Sequence, residues 1–321
     1  MPPKQSRCPV CNSLSSFFRE KDGYNCYFCD HCTTIFLNPL PSQKDINQRY
    51  TGYSDTYAEF EDRMKEGSKR TAEKICRLLR ELNPEGQILL EVGSGYGFFL
   101  DTAKKYFKDV SGMEPIKNLY EYSKNQLKLD TTMETYQSYF HRHPDKKYDF
   151  IVLLHVIEHV LNPREIFMLA QKHLNKNGIL LLETPNLDSH LFAAEKDAYT
   201  FLIPPEHLWV FSANSFKQLL QEFNELQLKK ITTYSAPEHV SGVIKRNIKK
   251  LLRKNRAENN NQPQEVQVAE GVAGDGKNTS RPSYVKQVKC ILFDRILSRL
   301  LCEPFSFWNK GSFLQVYIEK K

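Results

Sequence analysis

The stretch Ile88-Leu-Leu-Glu91-Val-Gly93-Ser94-Gly95-Tyr-Gly97 decides the fold. An apolar run ends in an acidic residue, three glycines alternate, and Phe98-Phe-Leu100 opens a helical pattern. A strand that breaks into a glycine turn and feeds a helix is how an open α/β sheet receives a nucleotide-like ligand. Glycine serves twice in such a turn: it lets a ligand approach the backbone, and it accepts positive φ.

Working outward, residues 55–82 read as a helix, with Phe60, Met64, Ile75, Leu78, Leu79 and Leu82 near helical spacing. Asn83-Pro-Glu-Gly86 closes it with turn chemistry. Beyond the glycines a helix runs to about Phe107, and a second strand, Val110 to Met113, ends at Glu114. Glu114 lies 21 residues after Gly93, where a carboxylate accepts hydrogen bonds from ribose hydroxyls. A strand over Tyr148–Leu154, a helix over Arg164–Leu174 with a glycine cap in Asn175-Lys-Asn-Gly178, and a strand over Ile179–Glu183 follow. Strands alternating with helices predict an α/β fold with a parallel, doubly wound, Rossmann-like sheet.

Three ligands use such a crevice. NAD favours GxGxxG, but the spacing here is GxGxG, and Phe98 stands where the third glycine would fall. A phosphate-binding loop needs Gly-Lys-Ser/Thr, which the turn lacks. S-adenosylmethionine has an adenosine and a zwitterionic tail but no phosphate, and a short glycine loop led by Glu91 suits it.

Taken together, residues 86–235 resemble a class I S-adenosylmethionine-dependent methyltransferase of the small-molecule type. Glu91-Val-Gly-Ser-Gly-Tyr-Gly97 is similar to that family's first motif, Glu114 to its ribose-binding acid, and Tyr148-Asp149 to the start of its fourth strand. His155-Val-Ile-Glu158-His159, Pro185-Asn186 and Glu206-His207-Leu-Trp-Val-Phe-Ser212 have counterparts in it. The resemblance implies a cofactor site of Glu91, Gly93, Ser94, Gly95, Gly97 and Glu114, with His155 lining it. It departs at Gln137-Ser138, where the family often places an adenine-contacting Asp.

A second motif precedes the sheet. Cys8-Pro-Val-Cys11 and Cys29-Asp-His-Cys32 form two CxxC pairs separated by 17 residues. Four thiolates in a tetrahedron suit a closed, structural Zn²⁺ site, and Phe17, Phe18, Tyr24, Tyr27 and Phe28 supply bulk for a small ribbon around it. Cys26-Tyr-Phe-Cys29 is a competing CxxC, so Cys26 is either a ligand or a buried thiol. This region, with Asn38-Pro-Leu-Pro41 and Tyr50–Tyr57, resembles the N-terminal part of bacterial methyltransferases associated with sugar and glycan chemistry.

Methyl transfer is an in-line displacement in which alignment does much of the work, and a base is needed for a hydroxyl or a carbon acid. His207 and His159 are the candidates. Each has a structural alternative: His159 as an anchor for the next helix, His207 as part of a plug with Leu208, Trp209 and Phe211. The absence of Asn/Asp-Pro-Pro-aromatic after the fourth strand argues against methylation of exocyclic base amines.

Leu226–Tyr234 and Phe313–Ile318 resemble the family's last two strands, with about 75 residues between them. Residues 240–254 and 284–301 are amphipathic and basic, and Ala257–Ser283 reads as disordered. The two helices either pack on the domain or bring the protein to an anionic membrane.

The 321 residues are 40% hydrophobic and 26% charged, which is globular composition. The opening Met-Pro-Pro-Lys-Gln-Ser-Arg7 lacks the apolar core of a signal peptide, so a cytoplasmic location is expected, peripheral at the inner face of the membrane if the basic helices bind there. There the eight cysteines would be thiols or metal ligands. A net charge of +7 permits an anionic partner without requiring one. The expected layout is a zinc-ribbon-like region (1–42), a helical linker (43–85), the methyltransferase core (86–237), a helical insertion (238–311) and a final core strand (312–321).

The expected function is methylation of a small-molecule or glycan acceptor at oxygen or carbon. A zinc-ribbon RNA methyltransferase is similar in layout, but the basic residues are too scattered for a phosphate stripe. A third reading, a binding scaffold without turnover, has the complete glycine motif and Glu114 against it.

Overall fold

Leu89, Leu90, Phe150 to Leu153 and Ile179 to Leu182 are all at most 2% exposed, the mark of strands covered on both faces. They belong to β5 (Ile88–Val92), β8 (Tyr148–Leu154) and β9 (Leu174–Pro185). The computed structural model describes residues 3–42, 44–46, 61–236, 239–240 and 308–321.

Beside β5 lie β6 (Asp109–Met113) and the two-residue edge strand β7 (Thr131–Thr132). On the far side, β12 (Phe313–Lys320) inserts antiparallel between β9 and β11 (Leu226–Tyr234). The order is β11-β12-β9-β8-β5-β6-β7, with parallel pairing from β9 to β7. This is the expected Rossmann-like α/β sheet.

Asp149 ties the centre together. Its carboxylate accepts from the amides of Gln87 (2.8 Å) and Ile88 (3.0 Å) and from Asn175 Nδ2 (2.8 Å). Helix α1 (Glu61–Leu82) places Ala72, Ile75, Cys76 and Leu79 in one apolar layer with Phe99 of α2 (Phe98–Ala103), Phe107 and Phe150. The other layer holds Phe167 of α5 (Pro163–His173) and Phe216 and Leu219 of α7 (Ala213–Leu220). Between these, α3 (Lys117–Asn125) and α4 (Tyr136–Arg142) flank β7, and α6 (His190–Glu195) follows β9.

One local expectation fails. Gly178 does not cap α5. The helix ends at His173, Leu174 is already extended (φ −75°, ψ 143°), and the left-handed residue is Asn177 (φ +62°). Gly178 lies within β9, where a Cβ would come 2.8 Å from the Asn175 carbonyl oxygen.

The cysteine-bearing segment folds as a meander of β1 (Gln5–Arg7), β2 (Leu14–Lys21), β3 (Tyr24–Cys29) and β4 (Thr34–Leu37). A fifth strand, β10 (Trp209–Val210), comes from the segment after His207 and pairs antiparallel with β4, Trp209 opposite Phe36. Side chains reinforce the seam: Ser212 Oγ donates to the Cys32 carbonyl (3.2 Å), and Thr34 Oγ1 meets Ser215 Oγ at 2.7 Å. Arg164 donates to the Val10 carbonyl (2.7 Å) while holding Glu222.

Residues 241–254 and 284–301 of the two basic amphipathic stretches lie outside the described residues, as does the segment 257–283. Among the described residues no helix is long and apolar enough to cross a membrane.

Candidate active site

The glycine turn leaves the carboxyl end of β5. Gly93, Gly95 and Gly97 have φ of +70°, +52° and +82°. A Cβ on Gly93 would meet Val156 Cγ2 at 2.6 Å, and one on Gly97 would meet Leu129 Cδ1 at 2.5 Å, so those two answer to packing. Nothing lies within 4 Å of a Cβ on Gly95, which leaves bare backbone facing open space.

Glu114, just past β6, is buried beside this turn. Its Oε2 accepts from the Gly95 amide (2.8 Å) and its Oε1 from the Ile116 amide (2.9 Å). Burial raises its pKa, and the two amides hold that rise back. Glu91 is buried more completely, and desolvation, with Glu114 nearby, lifts its carboxyl well above the usual range. Glu91 Oε2 and Ser94 Oγ are buried without a hydrogen-bond partner among the described residues. Beside the turn, Tyr96 stacks on Phe98 (5.5 Å) and meets Tyr122 edge-on (5.1 Å).

The second group lies at the carboxyl ends of β8 and β9. His155 adopts φ +56°, a conformation that stores of order 1–3 kcal/mol in a non-glycine residue and collects at functional sites. Its ring, 41% exposed, has Nδ1 3.3 Å from Glu158 Oε1 and Nε2 3.1 Å from Glu183 Oε1. Burial opposes its charge, but the hydrogen bonds to Glu158 and Glu183 outweigh it and raise the pKa to about 10. Glu158 is fully buried. Desolvation pushes its pKa up, yet the His155 hydrogen bond and the neighbouring histidines bring it down to about 2. Glu183 also accepts from Tyr234 Oη (2.9 Å) and Gln315 Nε2 (2.6 Å).

His159 and His207 meet edge to face, ring centroids 4.8 Å apart. His159 Nδ1 is 2.8 Å from the Glu206 carbonyl oxygen, and His207 Nδ1 is 2.7 Å from that of Phe201. A carbonyl only accepts, so each Nδ1 carries a proton, and in the neutral ring Nε2 is the acceptor. Burial lowers the His207 pKa to about 4, which keeps this ring neutral at pH 7. The plug and the site coincide: Leu208, Trp209 and Phe211 are buried, the Leu208 amide donates to the Glu158 carbonyl (2.9 Å), and Trp209 Nε1 donates to that of Val160 (2.7 Å).

At the N-terminus, the sulfurs of Cys8, Cys11, Cys29 and Cys32 lie within 4.8 Å of one another, with Cys8–Cys32 and Cys11–Cys29 each at 3.5 Å. Their sharing of protons is uneven: the hydrogen bond between Cys8 and Cys32 pulls Cys8 down to about 5 and pushes Cys32 up. Cys26 stands apart as a buried thiol raised to about 11 by desolvation.

The sequence-predicted residues thus form three groups. Glu91, Gly93, Ser94, Gly95, Gly97 and Glu114 share the end of β5 and β6, and His155, His159 and His207 gather past β8. The four cysteines sit on the adjoining sheet. Glu183, Tyr234 and Gln315 escaped sequence reasoning. The available signal was an acid closing four apolar residues in Ile179-Leu-Leu-Leu-Glu183.

Residues 64–225, half of the chain, match the family described as "Methyltransferase domain". The chain belongs to this family. The methyltransferase is 31% identical over 133 residues to the ubiquinone biosynthesis O-methyltransferase of Rickettsia typhi (strain ATCC VR-144 / Wilmington), covering 38% of this chain and 49% of that protein. It is 28% identical over 115 residues to the protein of the same name from Photobacterium profundum, covering 34% and 48%. The chain spans about half the length of the curated relatives it matches. Among solved structures, a SAM-dependent methyltransferase from Archaeoglobus fulgidus aligns over 83% of this chain and all of its own, with a TM-score of 0.45 and 18% identity. The methyltransferase match stops short of the cysteine ribbon on one side and of β11 and β12 on the other.

Proposed function

We propose that this methyltransferase binds S-adenosylmethionine against the glycine turn and transfers its methyl group to a hydroxyl oxygen of a small-molecule acceptor. The observation that carries the cofactor assignment is the Gly95–Glu114 pair: open backbone beside a buried carboxylate already held by two amides. The donor set fits the cofactor's chemistry. Glu114 offers remaining lone pairs to ribose hydroxyls, and the orphaned Glu91 and Ser94 oxygens suit an ammonium and a polar tail. The cofactor, when bound, supplies a methyl group already activated on a sulfonium.

The chain's own residues do the rest. Gly93 and Ser94 hold the turn by donating their amides to the Met113 carbonyl, both at 2.9 Å. Leu208, Trp209 and Phe211 exclude water behind the histidines. The acceptor hydroxyl is received at His159 and His207, whose rings are anchored through Nδ1 to the Glu206 and Phe201 carbonyls. Support for an oxygen acceptor comes from the relatives' name, O-methyltransferase. Zn²⁺ is the proposed occupant of Cys8, Cys11, Cys29 and Cys32, a closed sulfur set with no place for substrate.

Calorimetry with S-adenosylmethionine tests the cofactor assignment: saturable binding that Glu114→Ala weakens is expected, and no heat from the intact chain would overturn it. Methyl transfer to a panel of hydroxylated aromatic and sugar acceptors, followed by S-adenosylhomocysteine release, then tests the acceptor class.

A further inference from the structure

We propose that Glu158, His159 and His207 form a second metal site, one that binds a first-row divalent cation at the acceptor end of the crevice. Three observations converge on it. The ligand atoms of the three residues lie within 4.8 Å of one another, although they come from a turn after β8 and a segment some fifty residues later. Metal–nitrogen and metal–oxygen bonds of about 2.0–2.2 Å bring such atoms together with small side-chain shifts.

Both imidazoles are also prepared as ligands. Each Nδ1–H is spent on a backbone carbonyl, Glu206 for His159 and Phe201 for His207. This is the outer-shell bond that fixes the tautomer of a metal-binding histidine and aims Nε2 at the ion.

The third observation is an orphan. Glu158 is fully buried, its Oε1 is taken by His155 Nδ1 at 3.3 Å, and its Oε2 has no hydrogen-bond partner among the described residues. No group among the described residues lies within hydrogen-bond distance of this buried oxygen, and a divalent cation shared with the two imidazoles would satisfy it. His155 bridges the site to β9, its Nδ1 3.3 Å from Glu158 Oε1 and its Nε2 3.1 Å from Glu183 Oε1.

Clamps between the two segments preset the geometry. The Leu208 amide reaches the Glu158 carbonyl at 2.9 Å, and Trp209 Nε1 reaches that of Val160 at 2.7 Å. Two histidines and one carboxylate leave coordination positions open, unlike the four-sulfur set. On the reading that this is a methyltransferase with a hydroxyl acceptor, an acceptor oxygen takes one of them. The metal–oxygen bond forms as the O–H bond breaks, and the proton leaves to water. A cation there takes over from the imidazoles the task of drawing off that proton.

Co²⁺ is the probe, added to the full chain with its four cysteines loaded with Zn²⁺. The expected result is one further equivalent bound, with weak d–d bands and no thiolate-to-cobalt charge transfer. Glu158→Gln and His207→Gln should each weaken uptake by roughly 10–100-fold while circular dichroism and S-adenosylmethionine binding stay as in the parent. No uptake by the zinc-loaded parent, or equal uptake by both variants, overturns the site. Parallel calorimetry separates the two readings: cofactor binding without Co²⁺ uptake removes the metal site alone, and Co²⁺ uptake without cofactor binding removes the methyltransferase reading alone. If a glutamine variant fails to fold, the spectrum and stoichiometry of the parent decide.

Discussion

The two ends of the crevice are built in opposite ways. The proposed cofactor end is a matter of backbone: three positive-φ glycines and two carboxylates, all between Glu91 and Glu114. The proposed acceptor end is a matter of side chains, drawn from β8, β9, the 201–211 segment, Tyr234 and β12. A site made of consecutive residues carries its geometry in local spacing. A site made of distant side chains depends on every element that brings them together.

The largest expected effect breaks that contrast at the cysteine ribbon. On the proposal that Zn²⁺ occupies the four cysteines, Cys32→Ser should release it and unfold β1 to β4, given that structural zinc contributes on the order of 10 kcal/mol to small metallo-domains. Because β4 pairs with β10, methyl transfer should be lost with the ribbon while S-adenosylmethionine still binds. Metal analysis beside cofactor calorimetry reads both, and loss of cofactor binding as well would show the ends to be one unit.

Next in size is a pair of glycine substitutions. Gly97→Ala drives a Cβ to 2.5 Å from Leu129, and overpacking of this kind costs about 1–3 kcal/mol, to be seen as a fall in Tm. Gly95→Ala meets no protein atom near its Cβ and carries only the strain of its positive φ, about 1–2 kcal/mol and shared with Gly97, so here cofactor affinity should fall further than Tm. Equal losses of affinity in both would refute the division between packing and ligand glycines.

Glu114→Gln tests a single carboxylate. Hydrogen bonds to charged groups contribute about 1.5–3 kcal/mol, so affinity for S-adenosylmethionine should drop roughly 10- to 150-fold. An unchanged affinity would place the ribose elsewhere.

The smallest effect concerns His155. Its folded pKa is raised to about 10, so the stability it adds with Glu158 and Glu183 is fully present below about 6.5 and fades as pH rises through 10. Thermal melts across that range should show the decline, and Glu183→Gln should flatten it. A profile identical in the variant would remove Glu183 as the partner.

The same contrast explains what could be read from the chain. That Glu91, the glycines and Glu114 would meet at one strand end was legible because strand, turn and 21-residue spacing are local signals. The cysteine pairs were legible too, since each CxxC turn places two sulfurs by itself. Glu183 was missed because its partners, His155, Tyr234 and Gln315, are distant in sequence and joined only by the β9–β12–β11 ladder. Two residues make up β10, too few for any periodicity, so its union with the ribbon had no sequence signal. Gly178 misled because glycine after a helix suggests a cap, whereas here crowding by the Asn175 and Asp149 carbonyls requires it.

The pairing of β10 with β4 bears on how this protein can be taken apart. A chain begun after residue 42 would leave Trp209 and Val210 with a bare flank, and the ribbon alone would carry β4 as an unprotected sheet edge. Neither half is a cassette. Two-residue strands are weak hinges for recombination, yet this one makes the cysteine ribbon an heirloom of its own catalytic domain, inherited with it or not at all.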